Sequence, residues 1–234
     1  MLYDASRVGN ATPTLFDVDA WRAAGALAAT SAGRGSAFFI TADGHEWVLR
    51  HYRRGGWIAR LTPDRYVWAG EARTRPFREW QLLRDLHDEG LPVPAPVAAQ
   101  YRRGGMTYRG DLITERIAHA QPLSALLQPA PMSVADWQEI GACIRRFHDA
   151  GVRHADLNAH NILLNDHGKV FVVDFDRGSR HAPGPWRIAN LARLKRSLLK
   201  VCRDLPADRL ESRAWSAIAG GYDDAEVTSR AGLR

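Results

Sequence analysis

The sequence predicts an α+β fold in which a small lobe built on an antiparallel sheet precedes a mainly helical lobe. Residues 37–52 contain two runs rich in β-forming residues on either side of Asp43-Gly44, which is typical of a tight hairpin. Residues 134–147 carry apolar side chains at the spacing of an amphipathic helix. Between them, residues 112–117 predict a strand that runs into a connector. The predicted lobes are residues 1–116 and 117–234.

Composition indicates a globular protein with an anionic partner. Hydrophobic residues make up 45% of the 234 residues and charged residues 25%. No run of 18 apolar residues predicts a membrane-spanning helix, and residues 1–18 lack the apolar core of a secretion signal. Cys143 and Cys202 match no metal-binding spacing and are expected to be reduced thiols. The net charge of +6 favours a nucleotide, a nucleic acid or a membrane surface, without choosing among them.

The most informative feature is an H-x-D-x-x-x-x-N loop at residues 154–161, the predicted catalytic loop, which is followed by Asp174-Phe175-Asp176. The intervening residues predict a hairpin that places Asp156, Asn161 and Asp174 at one end. Asp156 is then the base that takes the proton of an acceptor hydroxyl, while Asn161 and Asp174 supply hard oxygen ligands for Mg²⁺. The alternative, that these are ordinary polar turn residues, does not account for the joint spacing.

The predicted elements follow the order of a protein-kinase-like bilobal fold. That order is hairpin, helix, strand, connector, helix, loop and hairpin. Only 58 residues follow Asp176, so the mainly helical C-lobe is expected to be shortened. An aspartate replaces the glycine of D-F-G, which makes the backbone there less free to flip. No A-P-E motif follows, and we therefore expect neither an activation-loop switch nor a protein substrate. Asp176 is expected to support the metal site or to pair with Arg177 or Arg180.

The N-lobe is expected to bind the nucleotide. Arg50 occupies the place of the usual phosphate-binding lysine on its strand, and Glu79, in the first turn of a helix that starts at residues 74–76, is its expected partner. The alternative to this phosphate-binding role is that Arg50 is a solvent-facing residue of a basic strand. Residues 33–36 form a glycine-rich turn that precedes the hairpin. It is a candidate lid over the phosphates, and a plain surface turn is the alternative interpretation. The further candidate nucleotide-binding residues are Gly33, Gly35, Glu115 and Ile117.

Residues 180–203 hold seven Lys or Arg and no Asp or Glu. Helical spacing places Leu191, Leu194 and Leu198 on one face. A basic amphipathic helix of this kind is a candidate site for an anionic membrane surface or an anionic substrate, although an ordinary solvated face is the competing interpretation. The cationic residues of the opposite face are Arg193, Arg196, Lys200 and Arg203.

The chain contains the blocks L-R-H-Y-R-R-G-G at residues 49–56, H-A-D-L-N at residues 154–158, D-F-D-R-G at residues 174–178 and N-L-A-R-L-K-R-S-L at residues 190–198. Together they resemble the 3-deoxy-D-manno-octulosonate (Kdo) kinases of lipopolysaccharide assembly, which are related to the core heptose kinases. The resemblance covers nearly all of residues 30 to 205. It implies ATP- and Mg²⁺-dependent phosphorylation of the 4-hydroxyl of Kdo on Kdo-lipid IVA, by a peripheral protein at the cytoplasmic face of the inner membrane. No nucleic-acid partner is implied, and nothing indicates the oligomeric state. The blocks at residues 49–56 and 174–178 are much more specific to this family than the catalytic loop, which many kinase-like folds share.

Two other classes of function remain open from the residues. Another small-molecule or protein kinase would share the residues of the active centre, but it would leave the R-R-G-G block and the acid-free basic helix without a role. A non-catalytic kinase-like binding module is favoured only by Arg50 and Asp176, and the intact catalytic motif speaks against it.

Overall fold

The computed structural model describes residues 1–9, 11–28, 37–53, 64–210 and 212–233. It divides into two compact units. The mixture of helices and antiparallel strands confirms the α+β class, whereas the kinase-like arrangement of two lobes stays a prediction. The chain passes between the units more than once, because a short segment before residue 94 groups with the second unit. Unit 1 comprises Met1–Asp85 and Pro94–Arg116, and unit 2 comprises Leu86–Val93 and Ile117–Arg234.

Unit 1 is built on a six-stranded sheet in which every pairing is antiparallel. The strands are β1 (Leu2–Tyr3), β2 (Ala37–Ala42), β3 (His45–His51), β4 (Tyr66–Val67), β5 (Pro96–Gly104) and β6 (Thr107–Glu115). Their order in the sheet is β1-β5-β6-β3-β2, and β4 pairs with β6 outside this order. The predicted hairpin is confirmed as β2 and β3, whose turn residues Asp43 and Gly44 both have positive φ, 52° and 77°.

Unit 1 contains helix α1 (Val18–Ala23) and all but the last three residues of helix α2 (Arg75–Asp88). The core of unit 1 includes Leu49 and Ile113 from adjacent strands, both fully buried. The predicted apolar positions of α2 are confirmed as one buried face, and Gly90, at φ +74°, follows the end of the helix as expected. The buried residues of that face are Phe77, Trp80, Leu83 and Leu86.

Unit 2 is mainly helical. Its longest helices are amphipathic, and the capping box predicted from Ser133 and Asp136 forms at the start of α4. The predicted hairpin after the catalytic loop is confirmed as β9 and β10. The helices are α3 (Leu123–Leu126), α4 (Val134–Asp149), α5 (Trp186–Val201), α6 (Ser212–Tyr222) and α7 (Ala225–Arg230). The strands are β7 (Ala120–Pro122), β8 (Val152–Arg153), β9 (Ile162–Asn165), β10 (Val170–Val172) and β11 (Ser179–Arg180).

Helices α4 and α6 pack closely because glycine lies at the contact. A Cβ on Gly141 would lie 2.8 Å from the backbone nitrogen of Tyr222, and a Cβ on Gly221 would lie 2.7 Å from the carbonyl carbon of Gln138. Both distances are shorter than real Cβ contacts, so only glycine fits at either position without moving backbone. In the described part of the chain, no helix has the length and apolar character needed to cross a bilayer.

Candidate active site

His154 is the buried residue that connects the parts of the catalytic loop (residues 154–161) in unit 2 by hydrogen bonds, and it is 4% exposed. The backbone N–H of Asp156 donates to His154 Nδ1 over 3.1 Å, and Nε2 lies 3.0 Å from the carbonyl oxygen of Val173. Because that oxygen can only accept, Nε2 carries the proton and the ring is neutral. Burial lowers the pKa of His154, in keeping with this tautomer. The first residue of the motif therefore links the loop to the end of β10.

The three predicted site residues of this unit meet in the same network. The Asn161 side-chain amide donates to the carbonyl oxygen of Asp156 over 3.0 Å. The N–H of Val173, which precedes Asp174, donates to the carbonyl oxygen of Asn161 over 3.0 Å. The structure thus brings Asp156, Asn161 and Asp174 together at one end of the β9–β10 hairpin, as the spacing predicts.

Asp174 has a φ of +65°, a left-handed conformation that is uncommon for aspartate. Such strain persists only where the surroundings enforce it. The next residue, Phe175, is 1% exposed. The centre of its ring lies 4.8 Å from that of His154 and 5.6 Å from that of Phe147. The cavity beside these rings has a volume of only about 10 Å³. Phe175 is thus closely packed and holds the Asp174 backbone in place.

Helix α5 holds the catalytic loop through three polar side chains spaced as i, i+3 and i+7. This spacing places them on one face of the helix. The Asn190 amide donates to the His154 carbonyl oxygen over 2.8 Å, Arg193 Nε donates to Asp156 Oδ1 over 2.7 Å, and the Ala159 N–H donates to Ser197 Oγ over 3.1 Å. Sequence analysis missed Asn190 and Ser197, because nothing in a single sequence connects them with a loop more than 30 residues away.

The structure also changes the interpretation of Arg193, which we had grouped with the solvent-facing cations of α5. Its guanidinium forms an ion pair with the carboxylate of Asp156, whose side chain is 49% exposed. Partial burial raises the pKa of Asp156, but the hydrogen bond from Asn158 and the Arg193 guanidinium outweigh it and hold that pKa below its ordinary value. Arg193 therefore contributes to the lowered pKa of Asp156 and fixes the position of its carboxylate.

We expect Arg193→Gln to lower the rate of phosphoryl transfer at pH 7 on the order of 10-fold, because the carboxylate loses its fixed position. Without the guanidinium the pKa of Asp156 rises, so the ionised form is lost at a higher pH as the solution is acidified. The acidic limb of the kcat/KM profile should move upward. Arg196→Gln, one turn further along α5, is the matched control and should leave the profile in place. Identical profiles for both variants would contradict this role.

In unit 1, the structure pairs Arg50 with Glu79, and this excludes the solvent-facing interpretation of Arg50. Glu79 is 3% exposed and accepts hydrogen bonds from both Arg50 and the hydroxyl of Tyr52. The Arg50 guanidinium also lies 5.1 Å from the centre of the Tyr52 ring. Burial, followed by the Glu79 charge, raises the pKa of Tyr52 well above its ordinary value. A cation at the end of β3 is therefore held by a buried carboxylate, with Tyr52 as a partner that the sequence did not indicate.

The remaining candidate nucleotide-binding residues lie in different structural environments. Glu115 ends β6, its carboxylate pairs with Arg7, and its N–H donates to the carbonyl oxygen of Ala95 over 2.9 Å. The Glu115 side chain is therefore already engaged within unit 1. Ile117 is partly buried and begins the main segment of unit 2. The glycine-rich turn with Gly33 and Gly35, like residues 54–56, lies outside the described residues.

The donor atoms of unit 2 fit Mg²⁺. The Asn161 amide nitrogen is used by the Asp156 carbonyl oxygen, which leaves the amide oxygen as the donor toward a cation. Asp174 adds a carboxylate, and such a pair is suited to Mg²⁺, which takes few protein ligands and completes its shell with water and nucleotide phosphates. Among the described residues, no cluster of three His, Cys, Asp or Glu side chains is placed to hold a metal.

The contacts among His154, Asp156, Asn161 and the residue before Asp174 give this loop the arrangement expected of a kinase-type phosphotransferase. Residues 18–222 match the model of the "Lipopolysaccharide kinase (Kdo/WaaP) family", and the chain belongs to that family.

Curated relatives that cover most of the chain carry the name 3-deoxy-D-manno-octulosonic acid kinase. The protein from Xylella fastidiosa (strain 9a5c) is 44% identical over 95% of this chain and 89% of its own length. The one from Xanthomonas campestris pv. campestris (strain B100) is 46% identical over 86% of this chain and 80% of its own length. The one from Vibrio parahaemolyticus serotype O3:K6 is 39% identical over 85% and 83%. The chain is therefore an enzyme that transfers a phosphoryl group.

Proposed function

We propose that the protein transfers the γ-phosphoryl group of ATP to the 4-hydroxyl of a Kdo sugar on Kdo-lipid IVA, in lipopolysaccharide biosynthesis. The observation that carries the proposal is the network that fixes Asp156 beside Asn161 and Asp174. It supports hydroxyl phosphorylation independently of any relative. The choice of Kdo as acceptor is supported by the names of the relatives, and the 4-hydroxyl and lipid IVA by the motif resemblance.

In this reaction the ionised Asp156 accepts the proton of the acceptor hydroxyl and orients its oxygen toward the γ-phosphorus. Arg193 holds the carboxylate in position and lowers its pKa. Asn161 and Asp174 would hold Mg²⁺, which neutralises charge on the phosphates when it is bound. Arg50, fixed by Glu79, would bind nucleotide phosphate through its planar guanidinium.

The proposed acceptor is a lipid that carries a carboxylate and phosphates. A protein that reaches it must approach an anionic surface, and the net charge of +6 favours that approach. We therefore propose peripheral association with the cytoplasmic face of the inner membrane. The basic face of α5 was the expected contact, but one member of it, Arg193, is engaged with Asp156.

Incubation of the purified protein with ATP, Mg²⁺ and detergent-dispersed Kdo-lipid IVA should add the mass of one phosphate to the lipid, as read by mass spectrometry. The same lipid with a 4-deoxy Kdo should gain nothing, and EDTA should stop the reaction, because the bound cation neutralises the phosphates. Phosphorylation of the 4-deoxy lipid would contradict the proposed position. A protein that hydrolyses ATP but phosphorylates neither lipid would contradict Kdo-lipid as the acceptor.

The nucleotide role of Arg50 can be tested without leaving Glu79 as an unpaired buried charge, which would destabilise the fold. The double variant Arg50→Gln with Glu79→Gln removes both charges together. We expect the KM for ATP to rise about 10-fold or more, since a hydrogen bond from a charged group to phosphate is lost. Arg53→Gln, which removes an exposed charge three residues along, is the matched control. Equal KM values for the two variants would contradict the assignment.

A further inference from the structure

The turn that joins β5 to β6 exposes apolar side chains to solvent. Gly104 pairs with Thr107, so the loop has two residues, and Gly105 takes the first position at φ +62°. Met106 occupies the second and is 83% exposed, while Val67, on the adjoining strand β4, is 69% exposed. The N–H of Trp68 donates to the carbonyl oxygen of Met106 over 2.9 Å, so the two apolar side chains belong to neighbouring strands. They are the most exposed large hydrophobic side chains among the described residues.

Arginines surround these two side chains. Arg102 of β5 lies directly opposite Arg109 of β6. Like charges opposite each other destabilise a sheet unless negative charge lies close by. Arg65 immediately precedes β4, which pairs with β6, and Arg103 lies over the ring of Trp68 at 4.9 Å. All four arginines line one surface cavity of about 220 Å³.

Nearby carboxylates offset only part of this charge. Asp64 pairs with Arg109 over 2.7 Å. Asp111, which is buried, lies 3.6 Å from Arg102 and also binds His51 and Gln100. Arg102 nevertheless keeps 63% of its side chain exposed, and Arg109 keeps 51%. The exposed guanidinium groups of Arg102 and Arg109, together with the exposed Arg103, therefore leave a cationic surface with an apolar tip.

We propose that this surface, which we call the arginine hairpin (Arg65, Val67, Arg102, Arg103, Met106 and Arg109), is where the protein docks on an anionic phospholipid membrane. Guanidinium groups bind phosphate bidentately, and the cavity is large enough to receive a lipid phosphate. Met106 and Val67 enter the interface between headgroups and acyl chains, where apolar side chains are stabilised. The four arginines remain at the level of the phosphates.

The combination of charge and apolar exposure decides the kind of partner. A nucleic acid would satisfy the arginines but would leave Met106 and Val67 in water, since phosphate contacts dominate such binding. A membrane uses both features. The inference rests on the proposed function to the extent that a lipid-linked acceptor requires membrane contact, and it assigns that contact to the arginine hairpin instead of the basic face of α5.

Co-sedimentation of the full-length protein with vesicles of phosphatidylglycerol and phosphatidylcholine tests the proposal. Each basic residue at an anionic surface contributes about fivefold in affinity, so Arg65→Gln with Arg102→Gln and Arg103→Gln should weaken binding on the order of 100-fold. Met106→Ser with Val67→Thr should weaken it several-fold without changing the charge. The matched control on α5 removes three charges as well: Arg196→Gln, Lys200→Gln and Arg203→Gln. It should change the affinity by less than about threefold, because charges away from the surface are screened.

The outcomes separate the alternatives. Equal losses in the two triple variants, or a larger loss in the α5 variant, would overturn the proposal. Loss of binding to a single-stranded oligonucleotide with unchanged vesicle binding would also overturn it, in favour of nucleic acid. Transfer to detergent-dispersed Kdo-lipid is measured in parallel. If the wild type does not phosphorylate that lipid but the hairpin variants lose vesicle binding, the proposed function fails and the docking surface stands.

Discussion

Replacement of Asp156 by asparagine is expected to lower phosphoryl transfer by roughly 10²-fold or more, because an amide cannot accept the proton of the acceptor hydroxyl. The side chain is half exposed, and the asparagine oxygen can still accept a hydrogen bond from Arg193. The melting temperature should therefore stay within about 2 °C of the wild type. The loss should appear in kcat, whereas the KM for ATP should hardly change.

Asp166→Asn provides the control for the loss of one carboxylate. Asp166 lies in the turn between β9 and β10 with 56% of its side chain exposed. Activity of this variant should equal that of the wild type. If Asp156→Asn retains activity within a few-fold of the wild type at an unchanged melting temperature, Asp156 is not the base.

Gly221→Ala is expected to destabilise the protein by roughly 3 kcal/mol or more, because overpacking of a rigid contact forces the backbone to move. The new Cβ would overlap the carbonyl group of Gln138, and helix backbone cannot yield as a flexible side chain can. For a chain of this size, this loss lowers the melting temperature by about 6 to 12 °C. Thermal unfolding followed by circular dichroism would measure it.

The neighbouring glycine supplies the matched control. Gly220 has nothing within 4 Å of its hypothetical Cβ. Because alanine favours a helix over glycine, Gly220→Ala should leave stability unchanged or raise it by up to about 1 kcal/mol. If Gly221→Ala melts at the same temperature as Gly220→Ala, the contact between α4 and α6 is not as close as described.

Local sequence signals predicted much of the fold. The Asp43-Gly44 turn, the capping box at Ser133 and the buried face of α2 each depend on residues close together in the chain, and each is confirmed. The convergence of Asp156, Asn161 and Asp174 was also predictable, because a single hairpin separates their motifs. The spacing of Leu191, Leu194 and Leu198 likewise gave the buried face of α5 correctly.

Contacts between distant segments were not predictable in this way. The pairing of Arg193 with Asp156 depends on how α5 packs on the loop, and helical periodicity placed Arg193 among the solvent-facing cations. The arginine hairpin was missed for a similar reason. Residues 102 and 109 read as ordinary basic positions until the register of β5 and β6 places them opposite each other.

The packing of Phe175 has a consequence for inhibitor design. A compound that requires this side chain to swing out of its site must first remove a fully buried aromatic ring, at a cost comparable to a large-to-small core substitution, roughly 3 kcal/mol or more. That cost lowers the apparent affinity of such a compound by on the order of 100-fold before it makes any contact. Screening for inhibitors should therefore concentrate on compounds that compete with the nucleotide or with the acceptor sugar.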